Sequence, residues 1–162
     1  MTPDSALDAV IRDARHLLFA FDGPIRGTDA GELADANAPT APHIHDAFAA
    51  CRESGRSVVV ISTKPKIDVP VYLDAHDLFD PITVIAASVS DAINFLKAAP
   101  ADCLLITSSA ADIKTAQAAG TPSIGYARTP DDAAHLVDAG AIAFVYSMAD
   151  LTLKLRSSRL QD

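Results

Sequence analysis

The stretch HLLFAFDG, residues 16–23, decides how the rest of the chain is understood. Its five consecutive apolar residues stop abruptly at Asp22-Gly23, and Pro24 follows. A short apolar run bounded by turn residues is typical of a strand that is buried on both faces of a parallel sheet. The stretch therefore predicts a first strand, His16–Phe21, which delivers the Asp22 carboxylate to its carboxyl-terminal tip.

Similar short runs recur along the chain and alternate with segments of helical periodicity. This alternation predicts a doubly wound α/β fold, with a parallel sheet of about five to six strands and helices on both faces. The further predicted strands are Ser57–Ile61, Ile82–Ala86, Cys103–Thr107, Ser123–Tyr126 and Ile142–Tyr146. The predicted helices are near 4–14, 43–54, 67–78, 90–99, 110–119, 130–139 and 148–157.

Residue types at the helix ends support these assignments. Thr129 and Pro130 supply an N-cap and a proline at the first helical position. Ser109 and Asp112 have the spacing of a capping box, with Asp in place of the usual Glu. Gly140 stands where a helix should stop. The helices therefore have definite predicted boundaries.

Length and composition indicate one α/β domain that covers residues 1–162, with a leading helix within 1–15 and an irregular loop at 23–42. Thirteen Lys and Arg residues stand against 21 Asp and Glu residues, giving a net charge of −8 without a basic cluster. That balance disfavours nucleic-acid binding. We expect no membrane segment, because no apolar run is long enough. Cys51 and Cys103 lack metal-site spacing, so we expect reduced thiols and a cytoplasmic location.

Polar residues follow the first four predicted strands, with Ser88 after the third, at the edge where ligands bind in open α/β sheets. Gly23 and Ser108 follow the first and fourth strands, and Ser62, Thr63 and Lys64 follow the second. The free N–H groups of a helix start favour anions at Ser62 and Thr63, and Lys64 adds positive charge. These five residues are the predicted ligand-binding set, for a small anionic or phosphorylated ligand.

Four segments, in this order, resemble the haloacid dehalogenase superfamily, whose members are mostly phosphatases. "LLFAFDGPI" looks like the first motif of the family, and "ACRESGRSVVVIST" looks like the helix and strand that carry the second. "CLLITSSAADIKTAQAAGTPSIGYA" looks like the fourth motif, and "LVDAGAIAFVYSMADL" is similar to the closing strand and helix. The resemblance spans almost the whole chain and implies a Rossmann-like core.

The resemblance also implies a chemistry. In the family, a first-motif Asp attacks phosphorus and a second Asp, two residues later, acts as general acid and base. Mg²⁺ is held by the nucleophile, a backbone carbonyl and a fourth-motif Asp. A second-motif hydroxyl and a third-motif Lys hold the phosphoryl oxygens.

Matched position by position, this chain has lost part of that set. Ala20 stands at the position of the nucleophile and cannot attack phosphorus, whereas Asp22 retains the acid/base position. Ser62 retains the second-motif hydroxyl. Ser108 replaces one metal-binding Asp of the fourth motif, and the later Asp is retained as Asp112, the one candidate metal ligand. The resemblance therefore implies a degenerate site with no expected cofactor, in which weak Mg²⁺ binding is still open.

Two further departures concern the third motif and the cap. Lys97 is the one lysine near the third motif, and it falls at the wrong end of its predicted helix. Family members with a helical cap insert it between the first two motifs, but the loop at 23–42 is too short for a helical bundle. We therefore expect a cap reduced to a short insert, with strand tips that are open to solvent or covered by a partner.

Three functions are compatible with these residues. The first, which we favour, is a pseudoenzyme that binds a small anionic ligand or a protein. The second is an enzyme with altered, non-covalent chemistry that uses Asp22 as general acid or base, without Mg²⁺. The third is an interaction protein, for example a homodimer formed through the uncapped strand-tip face near Ile82–Val89.

Overall fold

The computed structural model describes residues 3–21, 23–25, 40–62, 68–78 and 84–157. Within them, six strands form one sheet in the order β3-β2-β1-β4-β5-β6, and every neighbouring pair is parallel. The chain winds outward from β1 to β3 on one side, crosses back to β4 beside β1, and winds outward again. The predicted doubly wound α/β fold is therefore confirmed, and the winding reverses between β1 and β4.

The strands and helices follow the order predicted from the sequence. None of the helices in the described residues is long and apolar enough to cross a bilayer. The strands are β1 His16–Ala20, β2 Ser57–Ile61, β3 Val84–Ala86, β4 Cys103–Thr107, β5 Ser123–Tyr126 and β6 Ala143–Val145. The helices are α1 Pro3–Asp13, α2 Ile44–Glu53, α3 Asp68–Ala75, α4 Val89–Leu96, α5 Ala110–Ala118, α6 Pro130–Ala139 and α7 Met148–Ser157, with a short 3₁₀ turn at Pro100–Asp102.

The sheet is buried on both faces because successive strand residues point to opposite sides. Leu17 and Phe19 of β1 join the core formed with α1, α2, α3 and α7. Leu18, between them, packs on the other face with residues of α4 and α5. This two-sided burial is the physical reason why the strands are continuous apolar runs instead of alternating patterns.

The predicted helix caps are present. The side chains of Ser109 and Thr129, as predicted, each accept a hydrogen bond from the backbone N–H three residues later, and so does that of Ser88, which was not predicted as a cap. Gly140 ends α6 with φ 121°, a conformation that a residue with a Cβ adopts only with strain. These helix ends could be predicted from the sequence because each depends on residues that are close together in the chain.

Some predicted boundaries were too long. Helix α4 ends at Leu96 instead of near 99, because Lys97 adopts a left-handed conformation with φ 54°. Helix α3 ends at Ala75 instead of 78, and the N–H of Leu78 closes it by donating to the carbonyl of Leu73. Strand β1 ends at Ala20, although the N–H of Phe21 still donates to the Ile61 carbonyl.

Arg56, just before β2, ties the amino-terminal edge of the sheet to α1. It is 3% exposed, its Nε donates to the Ala14 carbonyl at 2.9 Å, and a terminal nitrogen donates to the Ile11 carbonyl at 2.8 Å. Carbonyls at the end of a helix have no partner within the helix. The guanidinium therefore serves as the C-terminal cap of α1.

Both cysteines are buried, and we expect them to destabilise the protein at alkaline pH. Burial raises the pKa of Cys51 to about 12 and that of Cys103 to about 11. An unfolded thiol titrates near pH 8.5, so above that pH the unfolded chain holds fewer protons than the native one and the free energy of unfolding falls. For Cys51 the loss should reach about 2 kcal/mol at pH 10.

Urea unfolding at pH 8 and pH 10 checks this expectation. The Cys51→Ala variant should lose less stability between the two pH values than the wild type, whatever its stability at pH 8. An equal loss in both proteins would mean that the buried thiol does not account for the alkaline sensitivity.

Candidate functional site

The carboxyl-terminal tip of β1 presents a methyl group where the resemblance implies a nucleophile. Ala20 is 5% exposed and, by strand alternation, points to the same face of the sheet as Leu18. Phe21, the next residue, packs its ring edge-on against Tyr72 at a centroid distance of 5.1 Å. Asp22, the predicted acid/base residue, lies outside the described residues. The described part of this tip is therefore apolar and tightly packed.

The tip of β2 carries Ser62. Its backbone N–H donates to the Ala86 carbonyl at 2.9 Å, which extends the pairing of β2 and β3 by one residue. Its side chain is half-buried. Thr63 and Lys64 lie outside the described residues, so their part in the predicted anion site stays a prediction.

The tips of β1 and β4 are in contact at the point where the winding reverses. Gly23 has φ 96°, and a Cβ at this position would lie 2.6 Å from Oγ of Ser108 and 2.9 Å from its Cβ. The Ser108 hydroxyl donates to the backbone carbonyl of Tyr126 at 2.9 Å. The structure therefore brings Gly23 and Ser108, two members of the predicted ligand-binding set, together. The Tyr126 carbonyl of β5 fixes the direction of the Ser108 hydroxyl.

Asp112 is held in a hydrogen-bond network at the start of α5. Its N–H donates to Oγ of Ser109 at 3.3 Å, as the capping box predicts. In a capping box the later side chain also binds the N–H of the cap residue, and here Thr107 bridges the two. Its hydroxyl donates to Oδ2 of Asp112 at 2.9 Å and accepts the Ser109 N–H at 3.1 Å. The network gives the Asp112 carboxylate a structural task, the capping of a helix.

Sequence reasoning missed three residues at this edge of the sheet. Thr107 is completely buried, and its signal was a hydroxyl at the end of an otherwise apolar strand. Burial raises the pKa of Tyr126, and the charge of the nearby Arg128 partly opposes that shift. Arg128 is exposed just beyond β5, so it brings positive charge to the strand tips. A basic residue directly after a predicted strand was the available signal.

The residues present do not fit the Mg²⁺ site that the resemblance implies. Mg²⁺ prefers hard oxygen ligands, mainly carboxylates and water. Of Ala20, Ser108 and Asp112, only Asp112 has a carboxylate, and one of its oxygens accepts the Thr107 hydroxyl. Across the described ranges, no group of three or more His, Cys, Asp or Glu side chains comes together. Weak Mg²⁺ binding through Asp112 stays a prediction.

Lys97 is far from the strand tips. It caps the carboxyl-terminal end of α4, a helix that starts beyond the tip of β3 and runs away from that edge. A lysine that contacts phosphoryl oxygens would have to stand at the other end of this helix. Lys97 thus stands at the end of its helix that was predicted from the sequence, and the loss of the third-motif lysine stays a prediction.

A cavity of about 420 Å³ lies at the opposite, amino-terminal edge of the sheet. The cavity is therefore not part of the strand-tip site. Arg56 is one of its lining residues, and the guanidinium of Arg56 donates to the carbonyls of Ile11 and Ala14 at the end of α1. The cavity is lined by Arg52, Gly55, Arg56, Ser57, Val58, Val84 and Leu96.

Solved structures of similar fold cover nearly the whole chain. A Bacteroides vulgatus protein assigned as a β-phosphoglucomutase is 15% identical and superimposes with a TM-score of 0.71, over 97% of this chain and 99% of that one. A haloacid dehalogenase family hydrolase from Deinococcus radiodurans, with bound phosphate and sodium, is 17% identical with a TM-score of 0.71, over 91% and 97%. A haloacid dehalogenase-like hydrolase from Streptococcus pneumoniae is 12% identical with a TM-score of 0.70, over 87% and 98%.

These likenesses identify the fold and leave the reaction open. No family model and no curated protein matches the sequence. Identities of 12% to 17% establish a shared backbone architecture, whereas function depends on the side chains of the site. The chain has the haloacid dehalogenase-like fold, and its chemistry must be argued from its own residues.

Proposed function

We propose that this protein is a pseudoenzyme with a haloacid dehalogenase-like fold, which binds a small anionic ligand at its strand tips and does not hydrolyse phosphate esters. The observation that carries the proposal is Ala20, a buried methyl group at the tip of β1. A covalent aspartyl-phosphate route requires a carboxylate at that position. Without it, the first chemical step has no nucleophile.

The surroundings of Ala20 support the same interpretation. The Ser108 hydroxyl is turned toward the Tyr126 carbonyl, and Asp112 caps α5 together with Thr107 and Ser109. Both positions that the resemblance assigns to the fourth motif are thus engaged in structural hydrogen bonds. An engineered change at Ala20 would not explain the serine at position 108.

Binding of an anion is the chemistry that the remaining groups support best. Ser62 places a hydroxyl-bearing residue at the tip of β2, and Gly23 lets the backbone approach closely. The Ser108 hydroxyl at the tip of β4 would have to leave the Tyr126 carbonyl to donate to an anion. Lys64, from the sequence, and Arg128 supply positive charge in a chain with a net charge of −8. Together these residues favour a phosphate or carboxylate over a neutral ligand.

The insert between the first two strands supports an open site. The N–H of Ala41 donates to the Ile25 carbonyl at 2.8 Å, so the two ends of the insert meet beside the strand tips. The segment between them, residues 26–39, lies outside the described residues and has 14 positions. A segment of that length is too short for a helical cap domain, which is the basis for proposing a capless protein.

A panel of phosphate esters with Mg²⁺ tests the proposal, with the Asp22→Asn variant as control. We expect no turnover in the wild type, or equal traces in both proteins from a contaminant. Turnover that disappears in Asp22→Asn would contradict the pseudoenzyme proposal. If that turnover also survived removal of Mg²⁺, it would support the alternative of acid/base catalysis by Asp22, which supplies about 10²–10⁴-fold.

Restoring an aspartate at position 20 should not restore phosphatase activity. Ser108 and the missing third-motif lysine would still leave the metal and the phosphoryl oxygens without their partners. Ala20→Asp should also lower the free energy of unfolding by about 2 kcal/mol, because position 20 is buried. Ala20→Asn is the matched control, because an asparagine side chain has the shape of an aspartate without its charge. Phosphatase turnover in Ala20→Asp, measured with the same panel, would show that one substitution accounts for the loss.

A further inference from the structure

The cavity at the amino-terminal edge of the sheet has the size of a small-molecule site. Its volume of about 420 Å³ falls within the range of roughly 300–1,000 Å³ that is typical of such sites. The turn between α2 and β2 contributes the polar part of its lining. Val84, the first residue of β3, and Leu96, the last residue of α4, contribute apolar side chains. The cavity therefore combines polar and apolar surfaces that come from different elements.

The charge of the cavity lining is positive. Among the described residues, Arg52 and Arg56 line the cavity and no aspartate or glutamate does, although the chain has a net charge of −8. Glu53, which directly follows Arg52, lies outside this lining. A concave surface lined by charges of one sign attracts a ligand of the opposite sign. The planar fork of a guanidinium matches a carboxylate or a phosphate group.

The backbone at the end of α2 leaves the arginine side chains of the turn available for another task. The N–H of Arg56 donates to the Cys51 carbonyl at 2.8 Å, and the N–H of Gly55 donates to the Arg52 carbonyl at 3.1 Å. These two bonds form a Schellman motif, in which Gly55 adopts the required positive φ of 85°. Because backbone groups already satisfy these last carbonyls, the end of α2 does not need the arginine side chains as caps.

The two arginines contribute in different ways because their exposure differs. Arg56 is 3% exposed and its guanidinium is fixed by the carbonyls at the end of α1, so it contributes a buried charge that solvent screens little. Arg52 is half-buried, so its guanidinium can contact a bound molecule. Gly55 and Ser57 are exposed and form the rim. A ligand would therefore enter past the rim and meet Arg52 first.

We propose that this cavity binds a small organic anion, whose carboxylate or phosphate group contacts Arg52 and whose apolar part lies against Val84 and Leu96. The charge of Arg56 strengthens the attraction, and the Ser57 hydroxyl at the rim is a further donor. An inorganic ion would not cover the apolar residues, and a neutral molecule would not use the positive charge. The proposal does not depend on the function of the strand tips, which lie at the opposite edge of the sheet.

Titration of the full chain with phenylphosphonate, followed by amide chemical shifts, tests the site. This probe joins an anionic group to an apolar ring. We expect saturable shifts at Gly55 and Ser57, and Arg52→Met should weaken this binding at least about tenfold because a hydrogen bond to a charged group is lost. Arg128→Met, which removes a cation near the strand tips, should leave it unchanged. Absence of a saturable shift at Gly55, or equal affinity in Arg52→Met and the wild type, would refute the proposal.

Two simpler probes test whether the ligand must be both anionic and apolar. Inorganic phosphate carries the charge without the ring, and benzyl alcohol carries the ring without the charge. Each should bind at this cavity at least about tenfold more weakly than phenylphosphonate. Binding of either probe as tight as that of phenylphosphonate would overturn the assignment of an organic anion.

Substitutions at the rim separate charge from shape. Ser57→Glu places a carboxylate beside the arginines, whereas Ser57→Gln has nearly the same shape without the charge. Both should fold, since Ser57 is exposed. Ser57→Glu should bind phenylphosphonate at least about tenfold more weakly than Ser57→Gln, because like charges repel. Equal affinities in the two variants, measured at the Gly55 signal, would contradict an anion site in this cavity.

Discussion

Replacing Arg56 by methionine is expected to lower the free energy of unfolding by about 3 to 5 kcal/mol. The guanidinium is almost completely buried and donates to the carbonyls of Ile11 and Ala14. Hydrogen bonds from a charged donor contribute about 1.5 to 3 kcal/mol each. Methionine retains the apolar stem and removes the donors, so the carbonyls at the end of α1 lose their cap.

Urea unfolding of three variants measures this contribution. Arg52→Met is the matched control, since Arg52 lies four residues earlier, in the last turn of α2, and its guanidinium stands 5.9 Å from the Phe48 ring centroid. It should cost about 1 kcal/mol or less. Arg56→Lys should fall between the two methionine variants, because an ammonium keeps the charge without the planar fork of donors. Equal losses in Arg56→Met and Arg52→Met would show that the cap of α1 adds little stability.

Replacing Gly23 by alanine is expected to cost about 2 to 4 kcal/mol. Part of this cost is the strain of a Cβ at φ 96°, and the rest is the overlap with the Ser108 side chain at 2.6 Å and 2.9 Å. Gly120→Ala is the matched control, because Gly120 also has a positive φ, 85°, but its nearest neighbour, Pro100, lies at an ordinary 3.4 Å. This control should cost about 1 to 2 kcal/mol.

A double-mutant cycle separates overlap from backbone strain. Ser108→Gly removes both atoms that a Cβ at position 23 would meet, so it should recover at least about 1 kcal/mol of the cost of Gly23→Ala. The same substitution should not change the cost of Gly120→Ala. If Ser108→Gly gives no relief, or if the two glycine variants cost the same, the tips of β1 and β4 are not in contact as described.

The fold could be predicted because its signals are local and repeated. The strand His16–Ala20 is an apolar run, and the caps Ser109 and Thr129 act within three residues of their own position. A parallel sheet with helices on both faces is the arrangement that buries such runs. Two of the boundaries that were wrong, the ends of α3 and α4, depend on single residues in left-handed conformations, Asp77 and Lys97. No periodic pattern signals these residues.

Less of the candidate site could be predicted. The sequence correctly placed Ala20, Ser62, Gly23 and Ser108 at the carboxyl-terminal edge, since the tips of parallel strands share one edge. It did not show that the Ser108 hydroxyl is turned to the Tyr126 carbonyl, because these residues are 18 positions apart. The predicted interaction face near Ile82–Val89 stays a prediction: in its described part Ala86 and Val89 are buried, whereas the other four residues, 84, 85, 87 and 88, are partly exposed.

By itself the sequence determined the element order, the parallel sheet and the absence of a carboxylate at position 20. These properties follow from side-chain type and from contacts between near neighbours in the chain. Only the tertiary structure decided that Arg56 caps α1 from 42 residues away and that Gly23 touches Ser108. Such contacts arise from the crossover connections between parallel strands, which bring together residues that are distant in the chain. No periodicity in the sequence indicates which residues will meet.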